Sequence, residues 1–264
     1  MPKSEPHATH REVELLDTLR NAGGSARNAT LAEALRVSEE TVRRTVKALA
    51  KAGLVQRVHG GVYLTNSEAL TPVVSRLDKR SEEKSRIAVR AARLIGDGAC
   101  VFLDVGSTTA YVAEALTRHR NLTVVTNGLH AAQTLANTRD NAVHLAGGAL
   151  QMVEGGTFGP ETLAQIQRFN IETAVFSIDG FDLRTGFLVA GRAEADLARS
   201  VAARARHTVV VADHAKFGQT APMIACEPHD VDTVVADKPL PDAFADRLAE
   251  WEVRIVIANK HTGG

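Results

Sequence analysis

The sequence has few cysteines, few aromatic residues and no net charge. Of its 264 residues two are cysteines and 4% are aromatic, and 31 basic side chains balance 31 acidic ones. Two cysteines, Cys100 and Cys226, cannot build a disulfide framework, which predicts a reducing compartment and a cytoplasmic protein. No apolar run reaches the length of a membrane span, and MPKSEPHATH at the start does not resemble a signal peptide. We therefore expect a protein with no membrane partner.

The sequence also lacks the motifs of metal sites and of nucleophilic catalysis. The ten histidines show neither HExxH nor paired spacing, and the chain contains no nucleophile elbow. His214, beside Asp213, is more simply a loop residue than a metal ligand. We accordingly expect no metal, no cofactor and no catalytic residue.

The segment VFLDVGSTTAYVAEAL, residues 101–116, has the pattern of a buried strand, a turn of small residues and a helix. Its turn is Gly106-Ser107-Thr108-Thr109. A helix N-terminus presents amide N–H groups without intrahelical acceptors and a positive dipole end, so this turn is suited to an anion such as phosphate. The alternative is that Ser107 or Thr108 only caps the helix.

The first 64 residues have the pattern of a DNA-binding module. Residues 1–60 carry ten Lys or Arg against seven Asp or Glu, whereas the remainder carries 21 against 24. Two short helices precede a third that begins after Ser38, a good N-cap, and that runs to about Ala52. Apolar residues of this third helix share one face and its basic residues point away from it, as a recognition helix requires. A small helical bundle with a solvated charged face is the alternative.

Two β-prone runs around a glycine turn follow, in GLVQRVHGGVYL, and predict a hairpin that serves as a wing. Arg57 and His59 lie on this wing, although a histidine before a tight turn is as often a packing residue. We predict a winged helix-turn-helix over residues 11–64, after a disordered stretch at 1–10. The predicted DNA-binding residues are Ser38, Thr41, Arg43, Arg44, Lys47, Arg57 and His59.

After a polar connection at residues 65–80, strand and helix patterns alternate over residues 81–258, and a tail of residues 259–264 ends the chain. The alternation predicts an α/β fold: a mostly parallel, Rossmann-like sheet with helices on both faces. In such sheets ligands bind at the carboxyl ends of the strands. The small and polar residues at those ends form the predicted effector site: Asp104, Gly106, Ser107, Thr108, Thr109, Thr126, Asn127, Gly147, Gly148, Asp179, Gly180, Glu194, Asp213 and Lys216.

This set suits a phosphorylated polyol. The amides and hydroxyls of the GSTT turn and the cation of Lys216 can hold a phosphate, and the carboxylates can accept hydrogen bonds from sugar hydroxyls. Any single carboxylate in the set is as well explained as a strand-end turn residue. We expect the ligand to be enclosed by Asp179-Gly180 and by the glycine-rich segment at residues 155–159.

The run VSEETVRRTVKALAKAGLVQRVHGGV resembles the DNA-binding signature of the DeoR family of bacterial sugar-catabolism regulators, with Thr45 where the family usually has an acidic residue. The segments LDVGSTT, VVTNG, LAGG and DHAKFG are similar to motifs of that family's effector domain, with Ala215 where a hydroxyl residue is common. The likeness covers about residues 11–257. It implies a ribose-5-phosphate isomerase-like effector domain that binds a phosphorylated sugar or polyol.

The expected function is therefore a transcription factor, most simply a repressor of a carbohydrate-catabolism operon, controlled by such an effector. Its expected partners are double-stranded operator DNA and further copies of itself, in a dimer or tetramer, because one recognition helix makes few base contacts. The sequence leaves two alternatives open. One is a phosphosugar isomerase-like enzyme with an appended DNA-binding domain, using Asp104, Asp179 and Glu194 as acids and bases. The other is a DNA-binding module whose C-terminal domain only oligomerises.

Overall fold

A computed structural model describes residues 10–21, 25–52, 54–58, 61–64, 73–136, 138, 140–151 and 154–258. The predicted disordered start before His10 and the tail at residues 259–264 lie outside the described residues. None of the helices in the described ranges combines the length and the apolar character that a bilayer span requires.

The N-terminal domain consists of three helices and a small antiparallel sheet in the order β1-β3-β2. Its elements are α1 (His10–Asn21), β1 (Ser25–Arg27), α2 (Asn28–Ala34), α3 (Glu39–Lys51), β2 (Val55–Val58) and β3 (Gly61–Leu64). Apolar residues at helical spacing on all three helices, among them Leu15, Leu31 and Val46, are buried in one core with Val55 and Val62 of the hairpin. The arrangement is a winged helix-turn-helix.

A seven-stranded parallel sheet organises the rest of the chain, in the order β15-β14-β12-β9-β4-β5-β6. These strands are β4 (Cys100–Leu103), β5 (Thr123–Thr126), β6 (Ala142–Leu145), β9 (Thr173–Ser177), β12 (His207–Ala212), β14 (Thr233–Ala236) and β15 (Arg254–Ile257). The central strands are rich in Val and are buried on both faces, which a parallel sheet between helices demands. The predicted Rossmann-like α/β class is therefore confirmed.

Helices cover both faces of the sheet. On one face pack α5 (Ser81–Ala92), α6 (Ser107–Leu116) and α7 (Leu129–Leu135). On the other face pack α8 (Pro160–Ile166), α9 (Arg192–Ala202) and α10 (Asp242–Glu250). Each face has its own apolar core, so the sheet is the shared wall between two layers of helices.

The strand order reverses between β4 and β9. Strands β5 and β6 follow β4 toward one edge of the sheet, whereas β9, β12, β14 and β15 follow one another toward the other edge. The loops that leave β4 and β9 must therefore diverge to opposite faces, and a crevice opens between them at the carboxyl end. This topological switch point is the place where the fold favours a ligand site.

Two small sheets lie beside the main one. The strands β7 (Ala149–Gln151) and β8 (Gly156–Phe158) pair as an antiparallel hairpin. The strands β10 (Gly180–Asp182), β11 (Gly186–Val189) and β13 (Met223–Cys226) form the other, in the order β10-β11-β13. The glycine-rich segment that we expect to close over the ligand thus contains a buried strand, and a Cβ on Gly156 would approach Asn127 O to 2.8 Å. These glycines allow close packing.

The polar segment predicted as a connection contains a short helix, α4 (Val73–Leu77). It packs on α6, where Tyr111 Oη donates to Leu77 O at 3.2 Å. Residues 65–72 lie outside the described residues. A hydrogen bond of 2.9 Å from Arg27 Nε to Pro222 O also joins the two domains.

Candidate functional site

Helix α3 begins with a side-chain cap. The N-cap Ser38 accepts a hydrogen bond from Thr41 N at 3.2 Å, and the hydroxyls of Ser38 and Thr41 are 2.9 Å apart. Glu39 and Glu40 occupy the first turn, where the dipole favours negative charge. Ser38 and Thr41 therefore hold the start of the helix, and their predicted contact with DNA stays a prediction.

The basic side chains predicted to bind DNA are exposed. Arg43, Arg44 and Lys47 project from α3 on the side opposite its buried residues, and Arg57 is exposed on β2. Arg43 lies 3.2 Å from Glu39 and 3.5 Å from Glu40, pairs that are solvent-exposed and hence weak. These cations are available to phosphates and base edges. His59 lies outside the described residues.

The second candidate site is a cavity at the switch point of the large sheet. Seven of the predicted effector residues are among its lining residues, and both diverging loops contribute to it. Those seven are Asp104, Gly106, Ser107, Thr108, Asp179, Glu194 and Lys216.

The turn after β4 is shaped by Gly106. Its φ of 141° is a conformation that side chains rarely adopt, and its N-cap position at α6 provides no side-chain cap. Ser107 and Thr108 therefore do not serve as the cap of this helix; both line the cavity, and the N–H groups of the first turn lack intrahelical acceptors. The N-terminus of α6 thus presents its positive dipole end at the cavity.

The other predicted effector residues support the walls behind the cavity. Thr109 Oγ1 donates to Gly106 O at 3.0 Å, and Thr126 Oγ1 donates to Leu103 O at 2.6 Å. Asn127 Nδ2 donates to Thr157 O at 3.2 Å. These contacts hold the strand ends and the loops in place.

The remaining members of the predicted set also have packing or capping roles. A Cβ on Gly148 would clash with Thr162, and one on Gly180 would clash with Gln219 O. Gly147 N donates to Gln165 Oε1 at 3.0 Å. Asp213 Oδ1 accepts from Ala215 N at 3.0 Å, which caps the 3₁₀ turn that carries Lys216.

Four carboxyl groups line the cavity, and burial pushes three of them toward their neutral forms. Desolvation, with Glu154 and Asp179 nearby, raises the pKa of Asp104 to about 8. Burial and the neighbouring carboxylates also raise the pKa of Glu194 well above its usual range. Burial raises the pKa of Glu154, although Arg76 opposes this, and the carboxyls of Glu154 and Glu194 share a hydrogen bond. Burial thus favours the neutral forms of both glutamates.

Two cations face these carboxyls. Lys216 is the cation predicted for the phosphate, and the structure adds Arg76 from α4. Arg76 Nη2 donates to Glu154 Oε2 at 2.8 Å, and its Nη1 lies 3.5 Å from Asp179 Oδ1. Burial lowers the pKa of Arg76, but the nearby carboxylates of Asp179, Glu154 and Glu194 together raise it above its usual value. Sequence patterns missed both Arg76 and Glu154, because their pairing spans 78 residues.

Asp104 provides a pH-dependent test of this arrangement. In the unfolded chain the pKa of Asp104 is about 3.9. Between about pH 3.9 and about pH 8 the folded protein therefore keeps this carboxyl protonated, whereas the unfolded chain has lost the proton. The stabilising contribution of the neutral carboxyl is thus complete at low pH and is lost as pH rises. We expect Asp104→Asn to gain stability relative to wild type on the order of a few kcal/mol over this range.

Urea unfolding of both proteins at pH 5.5, 7 and 8.5 measures this difference, and the exposed Asp246→Asn is a matched control. A stability difference between Asp104→Asn and wild type that stays constant with pH contradicts a neutral Asp104.

Two family models match the chain. The DeoR-like helix-turn-helix domain matches residues 11–68, and the DeoR C terminal sensor domain matches residues 79–238.

Full-length relatives agree with these matches. The glycerol-3-phosphate regulon repressor of Escherichia coli (strain K12) is 36% identical over 227 residues, which cover 86% of this chain and 90% of that protein. The transcriptional repressor AccR of Agrobacterium fabrum is 30% identical over 251 residues, 94% of this chain and 97% of that protein.

Among solved structures, ribose 5-phosphate isomerase A from Methanocaldococcus jannaschii aligns with a TM-score of 0.39 and 17% identity, over 53% of this chain and 55% of that chain. A likeness at this level supports no argument about function.

Proposed function

Because the chain belongs to the DeoR family of transcriptional regulators, we propose that a phosphorylated sugar or polyol in the switch-point cavity controls its binding to operator DNA. The observation that supports the ligand class is the composition of the cavity. The N-terminus of α6, Lys216 and Arg76 bring positive charge to one small space, and buried carboxyl groups surround it.

The parts of such a ligand match the parts of the cavity. A phosphate dianion accepts hydrogen bonds from the amides of Ser107 and Thr108 and is neutralised by Lys216. The hydroxyl groups of the ligand can pair with Asp179 and with the carboxyls of Asp104 and Glu194, which, when protonated, both donate and accept. A neutral sugar lacks the group that the α6 end attracts, so we propose that recognition depends on the phosphate.

The DNA side of the proposal depends on α3 and the wing. Both relatives named above are repressors, and we propose repression for this chain as well. Arg43, Arg44 and Lys47 approach the major groove and Arg57 approaches the backbone beside it, as in other winged helix-turn-helix modules.

A ligand panel tests the proposal on the full-length protein. We expect sn-glycerol 3-phosphate, or another compound in a panel of pentose and hexose phosphates, to raise the melting temperature without being consumed. At about a hundredfold excess over Kd, binding adds about 2.7 kcal/mol, which is on the order of 5–10 °C for a protein of this size. Glycerol and inorganic phosphate are the controls for the two halves of the ligand.

Three outcomes separate the possible functions. A thermal shift without turnover supports a sensor, whereas turnover of the compound supports the isomerase-like alternative with Asp104, Asp179 and Glu194 as acids and bases. If no compound in the panel shifts the melting temperature, the C-terminal domain is better explained as an oligomerisation module.

We further propose that the chain forms a homodimer or tetramer through the edge of its large sheet. Strand β6 ends the sheet, and no described strand pairs with its outer side. Leu145 on β6 and Leu150 on β7 are 41% and 47% exposed. An unpaired edge strand with an exposed leucine and neither proline nor charge is the kind of edge that another strand joins, and the exposed Leu150 follows it five residues later in the chain.

Light scattering of the full-length protein at micromolar concentration tests this surface. We expect the wild type to be at least a dimer and the double variant Leu145→Glu, Leu150→Glu to be a monomer, because two buried charges on each protomer oppose the contact. Leu54→Glu, at a position 42% exposed in the N-terminal domain, is the control. An unchanged mass in the double variant places the contact elsewhere.

A further inference from the structure

Helix α4 leads from the DNA-binding domain into the sensor domain, and one of its side chains enters the cavity. Arg76 is 8% exposed and forms ion pairs with Glu154 and Asp179. Glu154 belongs to the loop before β8 and Asp179 follows β9, so the guanidinium joins two separate walls of the cavity to α4. The segment that connects the domains is therefore part of the ligand site.

The backbone around Arg76 is attached to the sensor domain by a buried lysine. Lys84 Nζ on α5 donates to Arg76 O at 2.5 Å and to Lys79 O at 2.6 Å. These bonds fix the C-terminal end of α4 through its carbonyl groups. A displacement of the Arg76 side chain thus acts on a short helix whose C-terminal end is fixed and whose N-terminal end continues toward the DNA-binding domain.

The cavity is too small for the proposed ligand as it stands. Its volume is about 20 Å³, which is room for about one water molecule. A phosphate ester must therefore displace part of the lining. The carboxylates of Asp179 and Glu194 are tied to backbone amides at 2.8 Å each, at Ala190 N and Gly191 N.

Arg76 is held differently. Its guanidinium is fastened by ion pairs, and its Nε has no hydrogen-bond partner among the described residues. An entering anion can replace these ion pairs with contacts of the same kind, since a phosphate accepts a forked pair of hydrogen bonds from a guanidinium as well as a carboxylate does.

We propose that Arg76 couples the cavity to the DNA-binding domain: a phosphate that enters takes the guanidinium from Glu154 and Asp179, and the N-terminal end of α4 moves about its fixed C-terminal end. This inference rests on the proposed function, because it needs a phosphorylated ligand at the α6 end. It adds that α4 is the element that moves.

Ligand binding can shift the equilibrium between the two positions of α4 only if the ligand has a different affinity for each of them. Arg76 provides that difference, because it contacts carboxylates in one arrangement and phosphate in the other. A ligand held by Lys216 and the α6 amides alone binds both arrangements equally and leaves DNA affinity unchanged. Binding and response are therefore separable by substitution at this residue.

The first experiment uses the full-length protein, a DNA duplex selected from a random library for tight binding, and the phosphate ester that gives the largest thermal shift. In wild type we expect saturating ester to change DNA affinity at least tenfold. In Arg76→Gln we expect the ester still to bind, at a higher concentration, as the thermal shift reports, and the change in DNA affinity at saturating ester to fall below threefold. Arg93→Gln, which removes an exposed arginine at the end of α5, should behave as wild type.

A second experiment removes the partner instead of the arginine. In Glu154→Gln the guanidinium is held less firmly, so the ester concentration that gives half of the thermal shift should fall about tenfold, because one charge-assisted bond is lost. In the double variant Arg76→Gln, Glu154→Gln this gain should disappear. A gain that persists in the double variant shows plain repulsion between Glu154 and the phosphate, and it overturns the coupling role.

The outcomes distinguish a failure of the proposed function from a failure of the coupling role alone. If no ester shifts the melting temperature of the wild type, the proposed function fails and the coupling role fails with it. If wild type responds and a folded Arg76→Gln responds to the same degree, only the coupling role fails. Hydrogen exchange over residues 73–84 checks the movement directly: the ester should change protection there several-fold in wild type and leave it unchanged in Arg76→Gln.

Discussion

The double variant Arg43→Ala, Arg44→Ala is expected to lose operator binding while it remains folded. Each arginine that reads a base contributes about 1–3 kcal/mol, so losing both costs on the order of 2–6 kcal/mol if their effects add. In affinity this is a loss of about 30-fold to about 10⁴-fold. Folding should be little affected, because the pairs of Arg43 with Glu39 and Glu40 are exposed and weak.

Fluorescence anisotropy on a duplex selected for wild-type binding measures the loss, and thermal melting confirms that the variant is folded. The control Arg118→Ala, Arg120→Ala removes the same charge from exposed positions of the sensor domain and should bind as wild type. Retained binding in Arg43→Ala, Arg44→Ala means that α3 is not the recognition helix.

The salt dependence of the same measurement separates two roles. A residue that contacts a phosphate releases about one counterion, so its loss lowers the slope of log K against log salt by about 0.9 and weakens binding to all sequences alike. A residue that reads a base leaves the slope unchanged and relaxes preference at one position. We expect Arg57→Ala to behave in the first way, because the wing approaches the backbone.

The sequence predicts the large sheet well because its strands have a local signature. Runs such as Val101 to Leu103 are apolar throughout, end in small polar residues and precede helical spacing, and all of this is readable within about 15 residues. The family prediction, drawn from the DNA-binding signature and from the LDVGSTT and DHAKFG segments, is also confirmed.

The two sheets beside the main one were not predicted, because the pairing of their strands joins segments that no local pattern relates. Gly180–Asp182 pairs with Gly186–Val189, which in turn pairs with Met223–Cys226 far along the chain. The polar segment around α4 was interpreted as a connection for the same reason. Its arginine is buried only because Glu154 and Asp179 come from distant loops.

Seven of the fourteen residues predicted for the effector site line the cavity. The ends of parallel strands share one rim, so the polar residues at these ends can be listed from sequence alone. Which of them face the cavity depends on the three-dimensional arrangement: the loops after β4 and β9 flank the switch point, and Glu194 and Lys216 reach it from α9 and from the 3₁₀ turn after β12. Thr126 and Asn127 follow β5, a strand removed from that point, and their side chains bond to the backbone of neighbouring strands and loops.

Lys216→Ala is expected to shift the response to at least about tenfold higher effector concentration and to leave DNA binding intact. Lys216 lines the cavity from a 3₁₀ turn that Asp213 caps, and it lies in the sensor domain away from α3. A charge-assisted bond to phosphate contributes about 1.5–3 kcal/mol, so the effector concentration for half response should rise at least about tenfold. Titration of operator-bound protein with the phosphate ester measures this shift, and the exposed Lys238→Ala is the matched control.

Lys216 and Arg76 are both cations of the cavity, but their substitutions should fail in different ways. Lys216→Ala weakens the binding of the ligand itself. The thermal shift and the DNA response therefore weaken together at the ester concentration that saturates wild type, and both return at higher ester concentration. Arg76→Gln still shows a thermal shift at raised ester concentration and loses the response at every concentration. Reciprocity adds a check, since operator DNA must change the ester affinity of wild type by the same factor by which the ester changes DNA affinity. If Lys216→Ala responds at the wild-type ester concentration, Lys216 does not bind the phosphate, and the anion site is reduced to the amides of α6 and Arg76.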